Sequence, residues 1–374
     1  MLRPILAAVL IASVLVEDSL WAQKRRKKKE EEPPTQVLQL PRELPPATVA
    51  ESTRLVFHVA PLSSRGLLSQ QVRDALRALE RQTGGATPIK LRALVAGTGD
   101  MRRVQQIVSE NFENRRKPLP ALSVIQVGGL PLEGAQLALE AVSADRKAVN
   151  PGGVAFLAGQ QVVAESPTLH MRPLVEKSLA QLNRVLEAAG AGKRDVLRVA
   201  CFLTSLEDAG AVRVAVAREF PTAPAVFALL QREPRASLAE CEATARLAAA
   251  PASSPQLLNP AGLAVSAHYS QAVLAGPGKL AFTGSQMAFG YREEDARLAF
   301  QRLEKALNGV RSSLREAVWT SYYPLTPSTA DLIRKVRFEF LNKAAPPAAT
   351  MAPFEGLPSL DASFAVEAVA RVVE

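Results

Sequence analysis

The stretch Ser178-Leu-Ala-Gln-Leu-Asn-Arg-Val-Leu-Glu-Ala-Ala-Gly190, with Asp195-Val-Leu-Arg-Val199 and Phe202-Leu-Thr-Ser-Leu-Glu-Asp208 behind it, decides the reading of this chain. Val175, Leu179, Leu182 and Leu186 recur at helical spacing, so they share one face of a helix that Gly190 ends. Val199-Ala-Cys-Phe-Leu203 then reads as a strand, Glu207-Asp208 as a polar turn, and a second helix runs to Arg218-Glu219-Phe220. A strand, Gly153-Val-Ala-Phe-Leu-Ala158, lies ahead of the first helix. Behind the second come Pro224-Ala225-Val226, Glu233-Pro234 and the strand Cys241-Glu242-Ala243-Thr244. The order is strand, helix, strand, helix, strand, strand, which packs as two helices on one face of a mixed sheet.

The same pattern lies on either side. Upstream, Arg54-Leu-Val-Phe-His-Val59 is a strand, and Leu68, Val72, Leu76 and Leu79 form a helical stripe stopped at Gly84-Gly85. Lys90-Leu-Arg-Ala-Leu-Val95 leads to Glu110-Asn111-Phe112, then Pro120-Ala121-Leu122, Gly129-Leu130-Pro131 and Leu139-Glu140-Ala141-Val142. Downstream, an additional strand around Tyr269 to Val273 precedes Leu280-Ala-Phe-Thr283. Leu298, Leu303 and Leu307 lie on a helix followed by Gly309. Ala317-Val-Trp-Thr-Ser-Tyr322 leads to Phe338-Glu339-Phe340, then Pro347-Ala348-Ala349, Gly356-Leu357-Pro358 and Val366-Glu367-Ala368-Val369. The fold class is therefore α+β, in three copies over 51–147, 148–252 and 253–374. Each has the length of one small domain.

Apolar residues make up 48% of the 374, enough for real cores, while aromatics are only 5%. The net charge of +9 raises nucleic acid as a partner. Much of the excess sits in Lys24-Arg-Arg-Lys-Lys-Lys29, followed by Glu30, Glu31 and Glu32, a solvated tether rather than a binding arm. No nucleic-acid partner is expected. With Pro33, Pro34, Pro41, Pro45 and Pro46 behind it, 23–50 reads as a linker. Arg3, the apolar run Ile5 to Val16 and Leu20-Trp21-Ala22 read as a signal peptide over 1–22, cleaved after Ala22 and directing export to a periplasmic or secreted location. Glu17, Asp18 and the basic cluster keep an uncleaved membrane anchor open as the alternative.

Cys201 and Cys241 form no CxxC, which excludes a zinc ribbon; they read as two small buried residues rather than a disulfide, although export would make their pairing possible. His58, His170 and His268 have no ligand spacing, so no metal is expected. Gly97-Thr98-Gly99 lacks the Lys-Ser/Thr of a phosphate loop, and no cofactor is expected.

Taken together, Pro-Ala before one strand, Leu-Pro before a final Glu-Ala strand, Tyr269-Ser-Gln-Ala-Val273 and Thr283-Gly-Ser-Gln286 resemble the RidA/YjgF family. The resemblance covers nearly everything after residue 50. It implies chorismate-mutase-like domains that associate in threes, with ligand clefts between them. It also implies hydrolysis of 2-imino and enamine acids to 2-keto acids. In the family an arginine directly after Pro-Ala grips the substrate carboxylate, since a planar guanidinium offers two parallel donors. Here that position holds Leu122, Val226 and Ala349. The family's water-positioning glutamate is matched only by Glu240; Ala138 and Ala365 stand in the other copies. The opening tyrosine is matched only by Tyr269, which reads equally as cleft lining or as an ordinary half-buried strand residue. Glu240 and Tyr269 are the candidate catalytic residues. Glu140, Glu242 and Glu367 read as fold glutamates bonded to backbone near a sheet end.

The expectation is an intramolecular pseudo-trimer, monomeric in solution, because covalent linkage makes docking within one chain outcompete docking between chains. Small molecules are expected in the clefts between domains. Binding with little deaminase activity is favoured over a rearranged hydrolytic site, and an arginine from outside the motif decides between them. Arg232 and Arg235 are the nearest candidates.

Overall fold

The helices follow from their apolar spacing, and each turns its buried stripe to a sheet. The computed structural model describes residues 41–97, 99–230 and 236–373. The expected signal peptide, residues 23–40 of the expected linker, Thr98, Arg232, Glu233, Pro234 and Arg235 lie outside the described residues. In chain order come β1 (Ala47–Glu51), β2 (Leu55–Val59), α1 (Leu68–Gln82), β3 (Thr87–Ala96), α2 (Met101–Asn114), β4 (Ala121–Val127) and β5 (Leu137–Ala144). Then follow β6 (Val154–Val163), α3 (Arg172–Ala188), β7 (Val196–Leu203), α4 (Ala209–Glu219), β8 (Ala225–Leu229) and β9 (Leu238–Arg246). Last come β10 (Gln256–Leu258), β11 (Ala272–Ala275), β12 (Lys279–Thr283), β13 (Gln286–Phe289), α5 (Glu293–Asn308), β14 (Ala317–Pro324), α6 (Pro327–Val336), β15 (Ala348–Met351) and β16 (Ala362–Arg371).

Local chemistry sets the helix ends. Asp100 caps α2 by accepting from the Arg102 amide at 3.0 Å. Thr326 caps α6 by accepting from the Thr329 amide at 3.2 Å, with Pro327 at the first helical position. Past α1, Gly84 and Gly85 take φ of 57° and 92°, a region that favours glycine. In α5 the buried stripe is Ala299, Phe300, Leu303 and Leu307; Leu298, expected on it, sits one position off and is 44% exposed.

Three sheets repeat one strand order, β2-β5-β3-β4, β6-β9-β7-β8 and β12-β16-β14-β15. In each, the last pair is parallel and the others antiparallel. A parallel pair needs a crossover, and α2, α4 and α6 supply it. Each sheet packs one face on its own helices, in cores that include Val72 and Ile107, Leu182 and Val216, and Phe300 and Ile333. Two further cores draw on all three sheets: Ile125, Phe202 and Tyr323 meet in one, Leu55, Phe156 and Trp319 in the other.

The edges depart from the sequence reading. Ala47–Glu51, read as the end of the linker, is a strand that pairs with β12, from Ala47↔Thr283 to Glu51↔Lys279. The strand read as opening the third copy, β11, pairs not with β12 but with β6, from Ala272↔Leu157 to Ala275↔Val154. β10, inside a segment read as a connection, covers β11 in turn. Each segment satisfies an edge whose backbone groups otherwise lack partners. Sequence spacing does not reveal which edge a strand will join. β2 has only β5 beside it among the described residues.

Of the two cysteine readings, the structure shows the alternative, a disulfide. Cys201 on β7 stands directly opposite Cys241 on β9, and the two form a disulfide.

Candidate functional site

A bulge in β6 shapes the cleft that holds Glu240. The register with β9 passes from Leu157↔Ala243 to Gln160↔Cys241, so Ala158 and Gly159 together face Glu242. The bulge also brings Gly159 against Glu240; a Cβ at residue 159 would stand 2.1 Å from the Glu240 Oε1. Glu240 is buried, and Gln161 Nε2 donates to its Oε2 at 3.2 Å. Burial, then the neighbouring Glu242 charge, push the Glu240 carboxyl up to about 8 despite the Gln161 bond. It is therefore mostly protonated at neutral pH. Tyr269 is half-buried in the same cleft, its hydroxyl raised by burial and by Glu240. The two residues expected to carry chemistry thus meet. The strand exchange is the reason: with β11 seated on β6, the segment just before β11 stands beside the second sheet.

The cleft measures about 440 Å³, and its lining includes Ala349, Gln271, Arg334 and Arg337. Arg337 follows α6 and is only 3% exposed. Its guanidinium carbon lies 5.5 Å from the Tyr322 ring centroid and 5.2 Å from that of Phe338. His268 stacks on the other partner, Phe338, at 6.0 Å. The Arg337 Nε has no hydrogen-bond partner, and no carboxylate pairs with this side chain among the described residues. Arg334, one turn earlier, pairs with Asp331 at 2.6 Å. A buried cation without an anion is costly, and an incoming anion offsets that cost. Arginines from outside the Pro-Ala motif therefore reach the cleft, namely Arg184, Arg334 and Arg337, and of these Arg337 is the buried one; the sequence candidates Arg232 and Arg235 lie outside the described residues. The i, i+3 spacing of Arg334 and Arg337 at a helix end was the available signal.

The other positions matching the family site differ. Ala138 and Val226 line a cleft of about 530 Å³ with Val59, Leu62 and Phe220, and Arg213 is its one charged lining residue. At Leu122 the backbones touch: a Cβ on Gly284 would lie 2.8 Å from the Leu122 carbonyl oxygen. Ala365 is buried in a core shared by the three sheets. Among the described residues of these three positions, a buried acid and an unpaired buried cation come together beside Ala349.

Glu140, Glu242 and Glu367 are not bonded to backbone as expected. They meet Lys90, Arg92 and Arg198 in a buried layer of three acids and three bases. Arg92 Nη2 lies 2.5 Å from Glu140 and 3.3 Å from Glu242. Arg198 reaches the same two carboxylates at 2.6 and 2.8 Å. Lys90 Nζ contacts Glu367 at 2.6 Å, and the Tyr323 hydroxyl donates to that carboxylate at 2.6 Å. Burial pushes Glu140 up to about 7 against the pull of Arg92. Burial acts the same way on Glu367, but Lys90 and Arg92 outweigh it and hold that carboxyl below its usual value. The layer ties β3, β5, β7, β9 and β16 together, and its charges are already matched. A chamber of about 80 Å³ beside it is walled by Phe57, Phe156, Phe282 and Trp319. Among the described residues no cluster of His, Cys, Asp and Glu suits a metal.

The sequence model of the family described as Endoribonuclease L-PSP matches residues 135–247. Among solved structures, a member of the YjgF/YER057c/UK114 family from Mycobacterium tuberculosis is 23% identical, covering 25% of this chain and 79% of its own, with a TM-score of 0.23. A YjgF family member from Neisseria meningitidis is 11% identical, covering 25% and 81%, with a TM-score of 0.24. RidA from an Antarctic Psychrobacter is 12% identical, covering 32% and 94%, with a TM-score of 0.23. No curated protein matches the chain.

Proposed function

We propose, on the premise that residues 135–247 belong to the endoribonuclease L-PSP family, that the chain is three RidA-like modules in one polypeptide with one working cleft, which binds a small carboxylic acid and hydrolyses its imine or enamine form. One observation carries this reading: buried, unpaired Arg337 lines the cleft that holds Glu240 and Tyr269. Arg337 takes over the carboxylate grip that Ala349 cannot provide. Protonated Glu240 gives its proton to the imine nitrogen and then accepts one from the water that adds to carbon. Collapse of that adduct releases ammonia and leaves the 2-keto acid. The repeated strand order and the shared cores support a pseudo-threefold monomer, with modules near 51–147, 148–252 and 253–374 that trade their first strands.

The test is ammonia release by the purified mature chain given freshly generated 2-iminobutyrate. Turnover lost in Glu240→Gln, with KM raised in Arg337→Met, is expected. No turnover above the uncatalysed rate overturns the hydrolytic step. A second reading, binding without chemistry, is favoured by the absent motif arginine at Leu122, Val226 and Ala349. It is recognised by a carboxylate-induced thermal shift that disappears in Arg337→Met while turnover is nil.

Export belongs to the same proposal. The apolar run Ile5 to Val16 and Ala22 motivate it, and the Cys201–Cys241 disulfide suits an oxidising compartment. N-terminal sequencing from the native host is expected to begin at Gln23; intact Met1 on soluble cytoplasmic protein overturns it. Sedimentation of the mature chain at its monomer mass tests the assembly.

A further inference from the structure

The three sheets share one strand order and differ at the edge formed by the first strand; the third sheet also seats β13 on β16. β6 carries β11, and β12 carries β1, each antiparallel. β2 occupies the same place in its own sheet order and carries nothing among the described residues. The alternation of the ladder shows which groups are left over. Ala60 N donates to Leu139 O and Asp145 N donates to Arg54 O, so the even-numbered residues from 54 to 60 bond to β5. Leu55, Phe57 and Val59 therefore turn their N–H and C=O groups outward. The Asn150 side chain donates to Leu55 O at 2.8 Å, in place of the first bond of a missing strand. Among the described residues, Phe57 and Val59 have no outer strand to pair with.

The vacancy continues into a cleft. In the second sheet, Ala158 N donates to Gln271 O at 2.9 Å, and the chain just before β11 places Tyr269 in the cleft beside Glu240. At the end of β2 the matching space is the apolar cleft of about 530 Å³ that includes Val59, Leu62, Pro131, Ala138 and Phe220. There, no described segment stands where Tyr269 stands in the other. One antiparallel segment fills both vacancies: its strand part lies along β2, and the residue two or three positions before the strand enters the cleft.

We propose that β2 is an acceptor edge for an extended peptide segment of a partner protein, bound by strand addition. The strands seated on the equivalent edges define its chemistry. They read Ala-Thr-Val-Ala-Glu in β1 and Ala-Val-Leu-Ala in β11, short and built mainly of alanine with valine or leucine at the centre. The acid and cation of the Tyr269 cleft are replaced here by Ala138 and Ala217, so the head residue is a plain aromatic or leucine rather than tyrosine. Main-chain bonds to Phe57 and Val59 give affinity, and the cleft selects the head.

The test uses a synthetic peptide, Phe-Ser-Gln-Ala-Val-Leu-Ala, carrying the sequence of residues 269–275 with the tyrosine replaced. Fluorescence anisotropy is expected to show one site per chain, with at least tenfold loss for a peptide carrying proline at the valine position. Hydrogen exchange at the Phe57 and Val59 amides is expected to be fast in the free chain and slow in the complex. Val59→Pro, which removes only an outward N–H from an edge strand, is expected to lose binding with its melting temperature kept. Slow exchange at both amides in the free monomer overturns the proposal, as does equal binding of the proline-containing peptide. If the free chain sediments as a dimer with the same amides protected, a second copy covers the edge and the partner assignment is wrong.

Discussion

Replacing Glu240 by glutamine is expected to stabilise the protein in alkali while removing its chemistry. In the folded chain this carboxyl is raised from 4.5 to about 8. Between those values the folded state holds a proton that the unfolded state has released. Stability therefore falls as pH rises from 4.5, and the loss is complete above about 8. At about 1.4 kcal/mol per pH unit, the full cost approaches about 5 kcal/mol. Glutamine keeps the size and the Gln161 contact but never ionises, so it avoids this cost. An unfolding entropy of about 2.1 cal/mol/K per residue gives roughly 0.7 kcal/mol/K for a unit of about 330 residues. Glu240→Gln should then raise the melting temperature by up to about 7 °C at pH 8.5 and hardly at all at pH 5. Scanning calorimetry of both proteins at the two pH values measures this. An equal shift at both, or a lower melting temperature at pH 8.5, would refute the reasoning.

Three further outcomes follow from the same contacts. Lys90→Met strands the buried Glu367 carboxylate and should cost about 3–5 kcal/mol by denaturant unfolding, against less than about 0.5 for the exposed control Lys177→Met. Because Glu367 sits below its usual value, the stability it contributes is present above the unfolded value of 4.5 and fades as pH falls through the folded one, so the Lys90→Met deficit should narrow in acid. Gly159→Ala drives a methyl into the Glu240 carboxylate, and ammonia release should fall at least tenfold while the far-ultraviolet circular dichroism holds. Replacing Cys201 and Cys241 together by alanine, a pair 40 residues apart, should cost about 3–4 kcal/mol, checked by urea unfolding beside reduced wild type.

Much of this architecture is written in local patterns. The stripes Leu68-Val72-Leu76-Leu79 and Val175-Leu179-Leu182-Leu186 mark helices because burial selects one face of a 3.6-residue period. Glu240 and Tyr269 were legible as a pair because each is the sole match among three copies, and the cleft unites them. Long-range pairing was not legible. Ala47–Glu51 directly follows the prolines Pro41, Pro45 and Pro46 of the linker, and its partner lies more than 200 residues further on. Cys201 faces Cys241 only because of a register between two strands. Arg337 was hidden for a different reason: an arginine at a helix end is usually solvated, and only the packing of Tyr322 and Phe338 around it buries the charge. The glutamates of the Glu-Ala pairs were recognised as structural, but their cationic partners come from β3 and β7, and no single sheet contains the whole layer.

The seating of β1 on β12 has a consequence for how the chain is made. Synthesis is vectorial, and Ala47 leaves the ribosome long before Thr283 exists. Until then this five-residue strand has no mate, and β6 likewise waits for β11. Neither the first nor the second third of the polypeptide can reach its final form ahead of the last. Such non-local closure slows folding and lengthens the interval in which unpaired edges are open to aggregation. It also leaves the nascent chain threadable until its C-terminal part emerges, a condition that passage through a narrow secretory pore requires and that an early-folding N-terminal domain forecloses.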